Sequence, residues 1–185
     1  MITTLKEKVI NGQSLTKEEA IHLSSAELSP LCKGADQIRR HFCGNAFDMC
    51  SIINGKSGKC PEDCKYCAQS AHYAANTTVY PLLSPGEILQ AAEANAANGI
   101  LRFSIVTSGK RLSDKEVEQV CDSFRKIQET CSISLCASMG LLTEKQFGML
   151  KSAGVVRYHN NLETSRSFFP KICTTHTYED KIQAI

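Results

Sequence analysis

The chain has 185 residues, 42% of them apolar, with ten cysteines and no tryptophan. Its 21 Lys and Arg against 19 Asp and Glu leave a net charge of +2, which excludes capture of nucleic acid by bulk charge and excludes an acidic disordered tail. Such a length buries one core with a smaller appendage.

Residues 1–8, MITTLKEK, carry charge too early for a signal peptide, and no window approaches the ~20 apolar residues of a membrane helix. The expected home is therefore cytoplasmic, with neither membrane nor nucleic acid as partner. Thiols stay reduced there, and clustered cysteines mean metal or catalysis rather than disulfides. The isolated Cys32, Cys121 and Cys173 read as small buried hydrophobes.

Leu5, Val9 and Ile10 fall at helical spacing. Thr16 to Ala20 reads as a capped start for a helix from Ile21 to Leu28, and Pro30 opens another running to about His41. Residues 1–45 thus form a helical segment, and 46–185 a second domain. Residues 47–53, FDMCSII, are rich in strand formers, and Asn54-Gly55 ends them. Lys56 to Tyr80 is a loop. Ser84 caps and Pro85 opens a helix to about Asn98, closed by Gly99. A strand over 101–107 leads into Ser108-Gly109, and the capping box Ser113–Glu116 opens a helix to about Glu129. A strand over 132–138, a helix over 143–153 stopped by Gly154, a strand over 155–161 and a helix from Tyr178 complete the pattern.

Strand–helix alternation with short links means a parallel sheet, either doubly wound or a (β/α)-barrel. About four strand–helix units are present, whereas a closed eight-unit barrel takes ~250 residues. No Gly or Asn cap follows the last helix, so a truncated chain with two open parallel edges is the expectation.

The sharpest chemical feature is Cys60-Pro-Glu-Asp-Cys64-Lys-Tyr-Cys67. A structural zinc site wants four ligands, usually as two paired hooks, and no second hook is evident. Three thiolates suit a [4Fe–4S] cluster whose fourth iron stays open to a ligand, the position that gives chemistry rather than electron storage.

This spacing, with the aromatic Tyr66 before the last cysteine, resembles the radical S-adenosylmethionine superfamily. Residues 54–70 (NGKSGKCPEDCKYCAQS), 158–165 (YHNNLETS) and 174–178 (TTHTY) are similar to the biotin synthase family, a likeness running from about Ala35 to the last residue. The resemblance implies an α/β fold: the N-terminal portion of a (β/α)8 TIM-type barrel of about four strand–helix units, preceded by a helical segment. It implies a [4Fe–4S] cluster on Cys60, Cys64 and Cys67. S-adenosylmethionine would chelate the open iron and split to methionine and a 5′-deoxyadenosyl radical. The implied reaction inserts sulfur into dethiobiotin to give biotin, with flavodoxin or ferredoxin as electron donor and a homodimer as the assembly. A radical is needed because the C–H bonds attacked are not acidic, so no positioned base removes those protons at neutral pH.

Strand alternation places Arg102, Ser104 and Val106 on one face of the second strand, and His159, Asn161 and Glu163 on one face of the fourth, toward a barrel interior. The resemblance assigns His159 and Asn161 to dethiobiotin. It assigns Glu163 to the ribose of S-adenosylmethionine, whose vicinal hydroxyls suit a carboxylate. The family often reads Tyr-Asn-His-Asn where this chain has Tyr158-His-Asn-Asn161. Tyr66 and Lys181 are implied cofactor contacts, Lys181 standing where the family has an arginine and lacking its bidentate fork. Thr107-Ser108-Gly109, at a strand end, offers backbone contacts to the cofactor's amino group.

An auxiliary cluster, [2Fe–2S] or a variant, is implied on Cys136. Ser104 stands where the family has another cysteine, and serine is a poorer, harder ligand for iron. Cys50 or Cys43 is expected to replace the missing thiol. Plainer roles compete: a backbone-satisfied His159, a surface Glu163, a core Cys50, a solvent-facing Lys181 and a simple turn at Ser108-Gly109. Two further readings stand beside the first, a related radical enzyme of hydrogenase-maturation or methylornithine type and an inactive remnant. A chain truly ending at Ile185 is expected not to insert sulfur.

Overall fold

A computed structural model describes all 185 residues, Met1 to Ile185. They divide into two compact units, Met1–Phe47 and Asp48–Ile185. The first holds α1 (Ile2–Ile10), α2 (Lys17–Leu23) and α3 (Leu28–Cys43). The capped start expected at Thr16 to Ala20 is present, as the Glu19 amide donates to Thr16 Oγ1 at 3.2 Å and the Thr16 amide to Glu19 Oε2 at 2.7 Å, but α2 ends at Leu23 instead of Leu28. Pro30 is the third residue of α3 rather than its opener, a first-turn position where a missing N–H costs nothing.

The second unit alternates β1 (Cys50–Lys56), α4 (Pro85–Ala97), β2 (Arg102–Thr107), α5 (Asp114–Thr130), β3 (Ser134–Ser138), α6 (Glu144–Ser152) and β4 (Val155–Tyr158). Two short helices follow, α7 (Phe169–Ile172) and α8 (Tyr178–Gln183). The four strands are parallel and lie in sequence order. This is the α/β alternation expected, a partial barrel wall. The start of each of α4, α5 and α6 is fixed by a capping box, Ser84–Glu87, Ser113–Glu116 and Thr143–Gln146.

Two strands differ from expectation. β1 runs over 50–56 instead of 47–53: Phe47 is 81% exposed, and pairing begins only at Cys50, opposite Arg102. Asn54-Gly55 does not end it; the register slips there so that Lys56 pairs with Thr107. A Cβ at Gly55 would lie 2.8 Å from Ile105 Cγ2, so the missing side chain leaves room for the Ile105 methyl inside the strand. β4 stops at Tyr158, leaving His159 and Asn161 beyond the strand. A last rung runs from the His159 amide to Ala137 O at 2.8 Å, while the Tyr158 hydroxyl donates to Gly140 O at 2.6 Å.

One face of the sheet carries the core. Phe103 and Ile105 of β2 and Leu135 and Ala137 of β3 are buried against Ile88 and Ala92 of α4, Val117, Val120, Phe124 and Ile127 of α5, and Leu150 of α6. Cys121, buried there too, is the small hydrophobe expected, whereas Cys32 is exposed on α3. The other face presents Arg102, Ser104 and Val106 with Cys136 and Arg157, in register with Cys50, Ile52 and Asn54. Truncating Phe103 to alanine should lower unfolding stability by about 3–5 kcal/mol, against about 1 kcal/mol for Ser113→Ala, which removes only a cap; urea unfolding followed by circular dichroism measures both.

Candidate metal centre

The loop after β1 leaves the C-terminal end of the sheet and folds back on itself. Ser57 and Tyr80 exchange backbone hydrogen bonds at 3.1 and 3.2 Å, and the Leu83 amide donates to Gly55 O at 2.8 Å, closing the loop at its base. Gly58 takes φ +74°, and a Cβ there would lie 2.6 Å from Val79 Cγ2. Gln69 accepts from the Gly58 amide and from Ser57 Oγ through its side chain, and from the Cys60 amide through its carbonyl at 2.9 Å. Ser70 Oγ donates to Glu62 O at 2.6 Å, His72 Nε2 lies 2.9 Å from Pro61 O, and Tyr73 donates to Asp63 O at 2.7 Å. The residues following Cys67 thus form the scaffold on which the three cysteines are held.

Cys60 is buried, and burial pushes its thiol up; the amides of Glu62 and of Gly109, at the end of β2, point at the sulfur and oppose that shift. Gly109 therefore serves a cysteine, and Ser108 Oγ donates to Gly58 O at 2.9 Å, so these strand-end residues build the loop's floor. Cys64 is pushed up to about 12 by burial and by the charge of Cys173. Cys67 closes a turn on Cys64, its amide donating to Cys64 O at 3.0 Å and its own carbonyl accepting from the Ser70 amide at 3.2 Å, so the three cysteines share one folded loop.

The carboxylates between the first two cysteines tie this loop to a segment more than a hundred residues away. Asp63 Oδ1 accepts from the amides of Thr174 at 2.8 Å and Thr175 at 3.2 Å, and its other oxygen from Thr174 Oγ1. These donors hold the Asp63 carboxyl well below the usual carboxylate range. The Lys65 amide donates to Ile172 O at 3.0 Å, and Thr175 Oγ1 donates to Glu62 Oε2 at 2.8 Å. Glu62 also bonds His176 Nδ1, and both side chains are more than nine-tenths buried. Cys173, expected to be an inert core residue, is buried at 3% exposure with its sulfur 3.7 Å from that of Cys64 and 3.2 Å from His176 Nδ1.

Tyr66 comes to the same place. Burial raises its hydroxyl's pKa, and the charges of Cys64 and Glu163 raise it further. Glu163 sits in a left-handed conformation, φ +67°, in the turn after β4. His159 and Asn161 are exposed beyond β4, and Lys181 is half-buried in the last turn of α8 without an ion-pair partner. On the open face of the sheet, Cys136 pairs in register with Ser104 on one side and Arg157 on the other. Burial raises the Cys136 thiol while Arg102 and Arg157 oppose this, and the charge of the exposed Cys50, across β2, adds to the rise. Cys43 ends α3, in the helical unit.

Sequence reasoning missed Glu62, Asp63, Cys173, Thr175 and His176 as one assembly. The signal was present in residues 174–178, one of the strings that carry the family likeness, but its partner is too distant along the chain for spacing to reveal it.

Comparison with known proteins supplies the family context. The model of the radical SAM superfamily matches residues 56–185. A protein named biotin synthase from Akkermansia muciniphila is 58% identical over the whole chain, which covers 58% of that protein. Those of Clostridium botulinum (strain Hall) and Brachyspira hyodysenteriae are each 52% identical, with 58% and 54% of their lengths covered. The chain spans little more than half the length of the curated relatives it matches. A solved structure titled as HydG, a maturase of the [FeFe]-hydrogenase, superposes with a TM-score of 0.75 at 19% identity, over 99% of this chain and 44% of that one, a likeness of fold. No helix is long and apolar enough to cross a membrane. Replacing Asp63 with alanine should raise amide hydrogen exchange at Thr174 and Thr175 by about tenfold or more, as their acceptor is lost; exchange detected by mass spectrometry after short labelling measures it.

Proposed function

This chain belongs to the radical SAM superfamily, and from that premise we propose that it forms the N-terminal part of a biotin synthase, acting on dethiobiotin. The observation that carries the cofactor part is that Cys60, Cys64 and Cys67 lie on one loop closed by its own backbone bonds, Ser57 with Tyr80, Cys60 with Gln69 and Cys67 with Cys64. Three thiols with no fourth from the same loop fit a [4Fe–4S] cluster that keeps one iron for S-adenosylmethionine. When bound, that pair supplies one-electron cleavage of the sulfonium and hence a carbon radical able to take an unactivated hydrogen.

The chain's own residues bind and orient. The amides of Glu62 and Gly109 favour the thiolate of Cys60, which a metal ligand must be. Tyr66 and Glu163, gathered near Cys64, offer a hydroxyl and a carboxylate to the cofactor's ribose; the carboxylate accepts from both vicinal hydroxyls. Lys181 is a candidate partner for the cofactor's carboxylate. His159 and Asn161, on the exposed segment past β4, offer hydrogen bonds to the polar groups of dethiobiotin. The protein would work as a homodimer in the cytoplasm, receiving electrons from flavodoxin or ferredoxin.

For the auxiliary cluster, Cys136 is the primary ligand and Cys50 the replacement for the thiol that Ser104 lacks. Cys50 on β1 and Cys136 on β3 face the same open side of the sheet, with β2 between them, and Arg102 and Arg157 beside Cys136 stabilise its thiolate. Cys43, at the end of α3 in the helical unit, is the second candidate. Anaerobic reconstitution with iron and sulfide should give about half the auxiliary iron or less in Cys50→Ser and in Cys136→Ser, with the loop cluster retained; unchanged iron in Cys50→Ser removes Cys50 from the ligand set.

The reconstituted protein should form 5′-deoxyadenosine, stimulated by dethiobiotin, and Cys60→Ser, Cys64→Ser or Cys67→Ser should each lower that by about 100-fold or more. Formation without stimulation by dethiobiotin would assign a different substrate.

A further inference from the structure

The geometry points to a second, mononuclear metal site made by Cys64, Cys173 and His176, one that takes zinc and competes with the cluster for Cys64. The three ligand atoms lie within 4.8 Å of one another. Two thiolates on one tetrahedral zinc, with Zn–S bonds of about 2.3 Å, stand about 3.8 Å apart. The sulfurs of Cys64 and Cys173 are 3.7 Å apart. A four-iron cluster does not use this spacing, because each of its cysteines binds a different iron and the sulfurs are spread across the cube. Cys173 also lies outside the CxxxCxxC loop, brought there by the grip of Glu62 and Asp63 on residues 174–176.

The histidine is oriented for the same task. Both ring nitrogens lie near the Cys173 sulfur, Nδ1 at 3.2 Å and Nε2 at 3.9 Å; because Glu62 engages Nδ1, Nε2 is the nitrogen left to bind a metal. A carboxylate behind a ligating histidine is the usual support of zinc-bound imidazole. Glu62 is in turn held by Thr175 Oγ1 at 2.8 Å. Two thiolates and one neutral imidazole balance the charge of a divalent ion, and the Glu62 carboxylate behind them is hydrogen-bonded by His176 and Thr175. Soft sulfur with imidazole selects zinc over magnesium or calcium, and a water fills the fourth position.

Cys64 cannot serve both metals in their own geometries. Zinc in this site therefore withholds one of the three cluster thiols, so that cluster assembly requires zinc to leave first. This consequence rests on the cluster reading above; the site itself does not.

X-ray absorption of the cluster-free, zinc-loaded protein should show two sulfurs and one imidazole around zinc. Three sulfurs and no imidazole would put the ion in the cysteine loop and overturn the proposal. Zinc affinity should fall about 100-fold or more in Cys173→Ser and His176→Ala and about 10–100-fold in Glu62→Gln, but stay within about threefold in Cys60→Ser and Cys67→Ser. The reverse pattern contradicts the site. Zinc should slow anaerobic iron–sulfide assembly about tenfold or more in the wild type and leave Cys173→Ser unaffected, since that variant no longer holds the ion. Equal assembly rates with zinc retained overturn the competition. Failure of the zinc-free wild type to take up iron would instead contradict the cluster reading, and leaves the zinc coordination result standing.

Discussion

The arrangement depends on two adjacent carboxylates placed between cysteines. Glu62 and Asp63 are flanked by Cys60 and Cys64, yet their oxygens are spent on Thr174, Thr175 and His176. A loop of this length would ordinarily be free to sample many shapes, and ordering it costs conformational entropy. Charge-assisted hydrogen bonds to backbone amides are among the stronger polar contacts available, and here several converge on one carboxylate. They turn a flexible stretch into a fixed bracket, and the bracket sets where Cys64 stands relative to Cys173 and Tyr66.

The sheet supplies the other half of the bracket. Because all four strands are parallel, their C-terminal ends gather on one side, and the loops after β1, β2 and β4 meet there. The Gly109 amide reaches Cys60 from the β2 end, while Glu163 reaches Tyr66 from beyond β4. The packed face of the sheet, with Phe103 and Ile105 against α4 and α5, makes the strands rigid enough for such reach to be repeatable. The opposite face carries sulfur and guanidinium, a chemistry unlike that of the core.

Much of this was legible in the sequence. Ser84 and Ser113 declared their helices because a capping box is a purely local device, satisfied within four residues; the same device at Thr143 was not read as a cap. The alternation on β2 was readable for the same reason, and it placed Ser104 and Arg102 on the open face. Strand ends were not readable: β1 is displaced by three residues because its limits are set by pairing with Arg102 to Thr107, and Gly55 serves a register slip instead of a turn. The three loop cysteines announced themselves through spacing. Cys173 did not, since its partners Cys64 and His176 come together only after the chain has built most of the sheet. Lone cysteines look alike in one dimension, and Cys121, Cys32 and Cys173 end in a core, on a surface and beside a thiol respectively.

The most direct measurement of the account is electron paramagnetic resonance of the anaerobically reconstituted, reduced protein with and without S-adenosylmethionine. The expected result is the signal of a reduced four-iron cluster whose shape changes when S-adenosylmethionine is added, since the ligand occupies the iron that the protein leaves open. A protein that binds no iron, or a cluster signal indifferent to S-adenosylmethionine, contradicts it.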